Sequence, residues 1–304
     1  MKFAANLSGL GARHYPEVAQ AAEANGFDSI WVPEHLIFPV EMPPEYSYTP
    51  DGFPPMHADT PSFDPFVVLA GVASRTETIK LGTGVFILPL RHPIPVARAV
   101  ITLDRLSGGR VLFGIGVGWL SDEFEIVGQE FSNRGRRTDE MIELIRALWS
   151  EDPVEFHGKF YDIPPVRFFP KPVRKHAGIP IIVGGTSPGA LRRAGRLGDG
   201  WVHHAQIHAS LYTGERNPGV NETDFAELGD HLKVIERHRQ EAERSDRQFD
   251  VIAGMGGTLE SVRRCQELGV TTCQAGPSAA GLRGTKDDFV DWIKRFADEV
   301  IANT

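Results

Sequence analysis

Leu81-Gly82-Thr83-Gly84-Val85-Phe86-Ile87-Leu88-Pro89 is an apolar run interrupted by two glycines and stopped by proline. It reads as a buried strand whose end brings backbone close to another group, because glycine has no side chain to hold a neighbour off. Two further stretches share this form. They are Val111-Leu112-Phe113-Gly114-Ile115-Gly116-Val117-Gly118 and Ile181-Ile182-Val183-Gly184-Gly185-Thr186-Ser187-Pro188. One such end is ordinary. Three of them, far apart in a chain that alternates strand and helix, point to a large, flat, phosphorylated cofactor lying across the mouth of a barrel.

Strand patterns occur at Lys2–Leu7, Ser29–Pro33, Ile79–Leu88, Arg110–Val117, Ile179–Val183, Gly200–His204, Phe249–Ala253 and Thr271–Ala275. Most are continuous apolar runs, as parallel strands covered on both faces should be. Helix patterns fall between them. Tyr15–Asn25 stops at Gly26, a good residue just past a helix end. Asp64–Arg75 opens with Asp64-Pro65, an N-cap followed by proline in the first turn. Pro95–Leu106, Arg134–Ser150, Pro188–Leu197, Asp224–Arg244, Thr258–Leu268 and Lys286–Ala302 complete the series. Eight βα units in one run predict an α/β fold of the (β/α)8 TIM-barrel type, as a single domain over residues 1–304. A doubly wound sheet seldom needs so many units.

Three segments interrupt the repeat as insertions after strands 2, 4 and 6. Phe38–Phe63 is rich in Pro, Tyr, Asp and Gly. Pro153–Pro172 contains Phe156-His157-Gly158-Lys159-Phe160-Tyr161, a small hairpin ahead of strand five. Ile207–Thr223 is a polar loop. Long loops are uncommon unless functional or disordered. The expectation is that these form pocket walls or lids at the strand C-termini, where barrels keep their active sites.

The 304 residues are 41% hydrophobic, enough for a sizeable core, and the formal charge is −8. That charge argues against nucleic acid or an anionic membrane surface as the default partner. Cys265 and Cys273, the only cysteines, make neither a disulfide framework nor a zinc-type spacing, so a cytoplasmic location fits. The N-terminus enters a strand directly, without a signal-like segment. No apolar run reaches membrane-spanning length.

Several signatures are missing. After Gly114 and Gly116 the third glycine position of a dinucleotide fingerprint holds Trp119. No P-loop, nucleophile elbow or His-Glu-x-x-His is present. His203-His204 with His208 lacks a nearby carboxylate, and adjacent strand residues face opposite ways, so no metal site is expected. Glu34-His35 closes strand two, where barrels place catalytic groups, and histidine exchanges protons near neutral pH. The same pair also serves as a plain polar strand terminus. Gly84-Val85, Gly116 and Gly118 either admit a ligand or relieve a crowded barrel corner. Gly184-Gly185-Thr186-Ser187, ahead of a helix, is an anion site or a simple serine cap.

Together these stretches resemble the luciferase-like monooxygenase superfamily, and within it the F420-dependent oxidoreductase branch. The matching segments include Gly26–His35, Leu81–Val85, Arg91-His92-Pro93, Thr102–Arg110, Gly114–Trp119, Arg134–Glu140, Ile182–Pro188 and Gly195–Trp201. They cover the first two-thirds densely and the last third only by pattern. The resemblance implies a bacterial-luciferase-like barrel, a homodimer, and coenzyme F420 or FMN at the strand C-termini. It places a non-prolyl cis peptide at Gly84-Val85, backing the central ring, and the phosphate at Gly184, Gly185, Thr186 and Ser187. His35 matches the strand-two histidine beside the reactive ring. Asn6, Gly116, Gly118 and Trp119 are placed with the cofactor contacts. One departure matters. In the sugar-phosphate dehydrogenase of this family an acid follows the strand-four glycines, where this chain has Trp119. Its acid–base pair is not carried over, and a sugar phosphate is not the expected substrate.

The expected function is hydride transfer between F420 and a small organic molecule. His35 moves a proton or contacts the ring, Glu34 orients it, and Gly84 and Val85 form the ring platform. The alternatives are an FMN-dependent monooxygenase fed by a separate reductase, and a flavin-binding member without activity. Phe38, Tyr46, Tyr48, Phe53, Trp119 and Phe124 suggest an aromatic pocket lining.

Overall fold

The apolar runs form strands buried on both faces. A computed structural model describes residues 1–49, 51–54, 56–174, 178–203, 222–254, 258–276 and 284–304. Its strands are β1 (Lys2–Asn6), β2 (Ser29–Val32), β3 (Lys80–Thr83), β4 (Phe86–Ile87), β5 (Val111–Gly116), β6 (Val154–His157), β7 (Asp162–Val166), β8 (Ile181–Gly184), β9 (Gly200–His203), β10 (Asp250–Ala253) and β11 (Thr272–Ala275). Parallel pairing runs β3-β2-β1-β11-β10-β9-β8-β5, and β3 pairs with β5 to close an eight-stranded barrel. The third expected strand is one path in two pieces, β3 and β4, parted at Gly84-Val85. The peptide there is cis, as the resemblance implies.

The helices are α1 (Tyr15–Ala24), α2 (Pro65–Ala73), α3 (Pro93–Leu106), α4 (Ser121–Ile126), α5 (Arg134–Ser150), α6 (Pro188–Leu197), α7 (Glu222–Glu241), α8 (Leu259–Glu267) and α9 (Lys286–Glu299). Local chemistry sets many of their starts. Asp64 accepts the N–H groups of Phe66 and Val67 at 2.9 and 3.1 Å, with Pro65 leading α2. Thr258 with Ser261 and Thr285 with Asp288 form capping boxes on α8 and α9. The short α4 has no counterpart among the expected helices. No helix among the described residues is long and apolar enough to cross a membrane.

Side-chain alternation divides the core into two layers. On β1, Phe3 and Ala5 pack outward against helices, while Ala4 points into the barrel. On β2, Ile30 and Val32 go outward and Trp31 goes inward. Trp31 shares the barrel interior with Ala4, Leu112, Ile182, Val202 and Ile252, and half-buried Val85 packs against this cluster. Small residues make room for the indole: a Cβ on Gly82 would lie 2.5 Å from Trp31 Cδ2.

The expected hairpin is present as antiparallel β6 and β7. It does not stand over the strand C-termini. It follows α5 and lies along the outside of α3 and α5: Glu140 accepts N–H groups from Lys159, Phe160 and Tyr161 at 2.7 to 2.9 Å, and Lys171 reaches the Leu148 carbonyl. Connections that follow a helix return to the strand N-termini, so an insertion placed there flanks the barrel. The loop expected after strand six lies almost wholly outside the described residues.

Candidate active site at the barrel mouth

Parallel strands deliver all their C-terminal residues to one rim, where their side chains converge. Asn6, Val32, Gly116, Gly184 and His203 end their strands there. The segment after β2 crosses this rim. Its course is fixed by Ser62, whose hydroxyl accepts the His35 N–H at 2.9 Å and donates to the His35 carbonyl at 2.8 Å.

Glu34 and His35 diverge. Adjacent residues of extended chain point to opposite sides, and the Glu34 carboxylate turns toward β4. It accepts two hydrogen bonds from Arg91, at 2.8 and 2.7 Å, and the Ile87 N–H at 2.8 Å. Arg91 also lies 4.3 Å from the centroid of the Phe86 ring. Burial raises the Glu34 carboxyl above its ordinary pKa, and Arg91 and the Ile87 N–H oppose that shift. Glu34 is therefore not the partner of His35, contrary to the expectation from sequence.

That partner is Glu123, from α4. Its Oε2 is 3.1 Å from His35 Nδ1, while Oε1 accepts the N–H groups of Leu36 at 2.6 Å and Ile37 at 3.3 Å. The Glu123 side chain is fully buried and that of His35 is 11% exposed. The imidazole lies between Phe38, with centroids 4.6 Å apart, and the edge of Trp119 at 5.9 Å. Sequence reasoning missed Glu123. Its one local signal is the acidic pair Asp122-Glu123 four residues beyond the strand-four glycines.

Trp119 continues an aromatic wall: Tyr46 meets it edge-on at 5.1 Å, and Tyr48 follows at 5.3 Å from Tyr46. Glu45, beside Tyr46, accepts both the N–H and the hydroxyl of Ser121, tying this loop to α4. Phe124, grouped with these aromatics in the sequence, is instead fully buried with Ile87 and Leu90.

The glycines divide by role. A Cβ at Gly114 would fall 1.9 Å from the Thr83 carbonyl oxygen, and one at Gly116 would fall 2.7 Å from Val85 Cγ2. Gly116 thus lets the Val85 side chain lie across β5. Gly118 has φ +80° and abuts Ile87 and Phe124. These positions relieve a crowded barrel corner. Gly84 likewise borders Trp31, whereas the neighbouring Val85 side chain is only half-buried.

At the far side, Gly184 closes β8 and Gly185 has φ +106°. Ser187 caps α6 by accepting the Ala190 N–H at 3.3 Å. Trp201 donates its indole N–H to the Gly185 carbonyl at 2.8 Å. The Tyr48 phenolic oxygen lies 3.3 Å from where a Cβ on Gly185 would stand, beside Thr186. Asn6 is engaged locally, its Oδ1 accepting the Ser8 N–H and hydroxyl. Of the histidines His203, His204 and His208, His203 is buried beside Trp201 and His231, with centroids 5.2 and 5.9 Å away. His204 and His208 lie outside the described residues. No group of three or more metal-binding side chains occurs among the described residues.

The profile of the luciferase-like monooxygenase family matches residues 3–218. An uncharacterized protein of Mycobacterium tuberculosis is 36% identical over 293 residues, covering 95% of this chain and 94% of its own. The F420-dependent glucose-6-phosphate dehydrogenase of Nocardia farcinica is 33% identical over 242 residues, covering 77% of this chain and 66% of the dehydrogenase. Among solved structures, the coenzyme F420-dependent tetrahydromethanopterin reductase of Methanopyrus kandleri aligns with a TM-score of 0.74. Its identity is 19% and the match covers 99% of both chains, a likeness of fold.

Proposed function

The chain belongs to the luciferase-like monooxygenase family of oxidoreductases, and on that footing we propose that it transfers a hydride between coenzyme F420 and a small organic substrate. The observation that carries this reading is His35: a nearly enclosed imidazole at the rim, gripped on Nδ1 by a buried carboxylate, with no hydrogen-bond partner on Nε2 among the described residues. A group held in this way suits proton transfer beside a reacting bond.

The residues present fit such a cofactor. The Thr186 backbone and hydroxyl, just ahead of α6 and beside the Tyr48 phenolic oxygen, would hold a phosphate oxygen. Gly185 leaves the approach open, since a Cβ there would come within 3.3 Å of that phenolic oxygen. Val85 would back the ring and Trp119 would border it. The bound deazaflavin supplies two-electron hydride chemistry. His35 would move the accompanying proton through Nε2. Phe38, Tyr46 and Trp119 would exclude water and favour a substrate with apolar or aromatic surface. No acid stands at position 119 to recreate the sugar-phosphate dehydrogenase arrangement, so a different substrate is proposed.

The test is a titration of the purified protein with F420 and, in parallel, FMN, followed by tryptophan fluorescence. Saturable F420 binding with much weaker FMN binding is expected, lost on Thr186→Pro. The opposite preference would replace this reading with a two-component monooxygenase drawing reduced FMN from a separate reductase. Binding of neither would overturn the cofactor assignment. With a substrate found by screening, unchanged turnover in His35→Ala would remove the role given to His35.

A further inference from the structure

A neutral imidazole carries one N–H, and the group facing each ring nitrogen decides where it sits. In this site the choice is made by Glu123. Its Oε1 is fixed by two backbone donors, the N–H groups of Leu36 and Ile37, so its Oε2 must face His35 Nδ1. A carboxylate oxygen only accepts. The ring cannot turn away, because Ser62 clamps the His35 backbone on both sides and Phe38 and Trp119 confine the ring.

We propose that Glu123 is the positioning residue that holds His35 as its Nδ1–H tautomer, so that Nε2 presents a lone pair to the pocket as a proton acceptor. In the proton step an X–H bond of the substrate breaks, its electron pair stays on X, and the proton goes to Nε2. The resulting imidazolium is balanced by the Glu123 carboxylate 3.1 Å away. In the reverse direction the same Nε2–H donates. The Leu36 and Ile37 contacts give Glu123 a second consequence: the carboxylate that orients the base also anchors the start of the loop carrying Phe38, Tyr46 and Tyr48. Ring orientation and pocket wall are thereby set by one side chain from α4.

The proposal rests on His35 serving the proposed reaction, but its test does not need the cofactor. Long-range 15N–1H correlation spectra of the full chain, labelled at histidine, distinguish the two neutral tautomers. They are recorded above the pH range in which imidazole titrates. His35 is identified among the 11 histidines by the signals missing in His35→Asn. The wild type is expected to show protonated Nδ1 and unprotonated Nε2. In Glu123→Gln the amide oxygen stays with the two backbone N–H donors, so the NH2 faces Nδ1 and forces that nitrogen to accept. The tautomer should invert, with N–H on Nε2, while circular dichroism stays that of the folded chain. Glu123→Asp should keep the wild-type tautomer if the shorter carboxylate still reaches.

A wild-type spectrum with the proton on Nε2 overturns the proposal outright, whether or not any variant folds. So does a folded Glu123→Gln that keeps Nδ1–H, because a residue with a purely structural role would leave the tautomer unmoved. Failure of F420 to bind a protein that shows the Nδ1–H pattern would sink the functional reading and leave this one standing. Once a substrate is known, Glu123→Gln should lower kcat by roughly 10²- to 10⁴-fold, the usual worth of a positioned acid–base group, with little change in the affinity for F420.

Discussion

The Tyr48 phenolic oxygen lies 3.3 Å from where a Cβ on Gly185 would stand, at the turn between β8 and α6. Burial raises the phenol's pKa, and neighbouring Thr186 partly opposes that shift. The phenolic oxygen therefore stands beside the start of α6, where the proposed phosphate contact would fall. A phosphorylated cofactor bound there must displace it. Tyr48→Phe should therefore bind F420 more tightly, by roughly three- to tenfold, the worth of one net hydrogen bond no longer in competition. Titration of the two proteins side by side checks this. Weaker binding by the variant would mean that the hydroxyl serves the bound cofactor instead of standing in for it.

Trp31 and Gly82 of β3 are fitted to each other. The indole is fully buried at the centre of the barrel and donates to the Ser29 hydroxyl at 3.0 Å. Each of the three nearest atoms to a Cβ on Gly82 belongs to that indole, at 2.5 to 2.8 Å. Gly82→Ala should cost about 1–3 kcal/mol by overpacking. Trp31→Leu alone should also destabilise, by leaving a cavity. Combined, the two should be less harmful than their sum by about 1 kcal/mol or more, since the new methyl enters space the indole vacates. Urea denaturation of the four proteins measures the coupling. Simple additivity would show that Gly82 is needed for another reason.

The glycines show where the sequence was legible and where it was not. Continuous apolar runs located all eight barrel strands to within a few residues, because burial on both faces writes itself locally. Arg134–Ser150 and Pro188–Leu197 matched at both ends; Ser187 and Pro188, for example, mark the start of α6. The six-residue α4 is too short to display a helical period. Gly82 and Gly114 are recognisable as sites of close approach, but what approaches is the Trp31 indole at Gly82 and the Thr83 carbonyl at Gly114. Glu34 was paired with His35 on adjacency alone. The true partner, Glu123, lies 88 residues away, and such a contact follows from how α4 docks on the loop, which no local pattern encodes.

Glu34 and Arg91 carry the last prediction. The Glu34 side chain is 1% exposed, and Arg91 with the Ile87 N–H supplies its hydrogen bonds. Removing one member of a buried pair strands the other charge, so Arg91→Ala should lose about 3–5 kcal/mol near neutral pH. The loss should depend on pH in a defined direction. Burial already raises the Glu34 carboxyl, and Arg91 is the leading influence that lowers it. Without Arg91 the folded-state value rises further above the unfolded one. A carboxyl with a raised folded value binds its proton more tightly in the folded chain, so stability is regained as pH falls through that value and is absent above it. The deficit of Arg91→Ala relative to wild type should therefore shrink on acidification from neutral toward the ordinary carboxylate range. Glu34→Gln combined with Arg91→Met, which removes both charges, should show little of this pH dependence. Denaturation midpoints measured across that range decide it. A deficit independent of pH would mean that Arg91 acts through its packing on Phe86 and not through its charge.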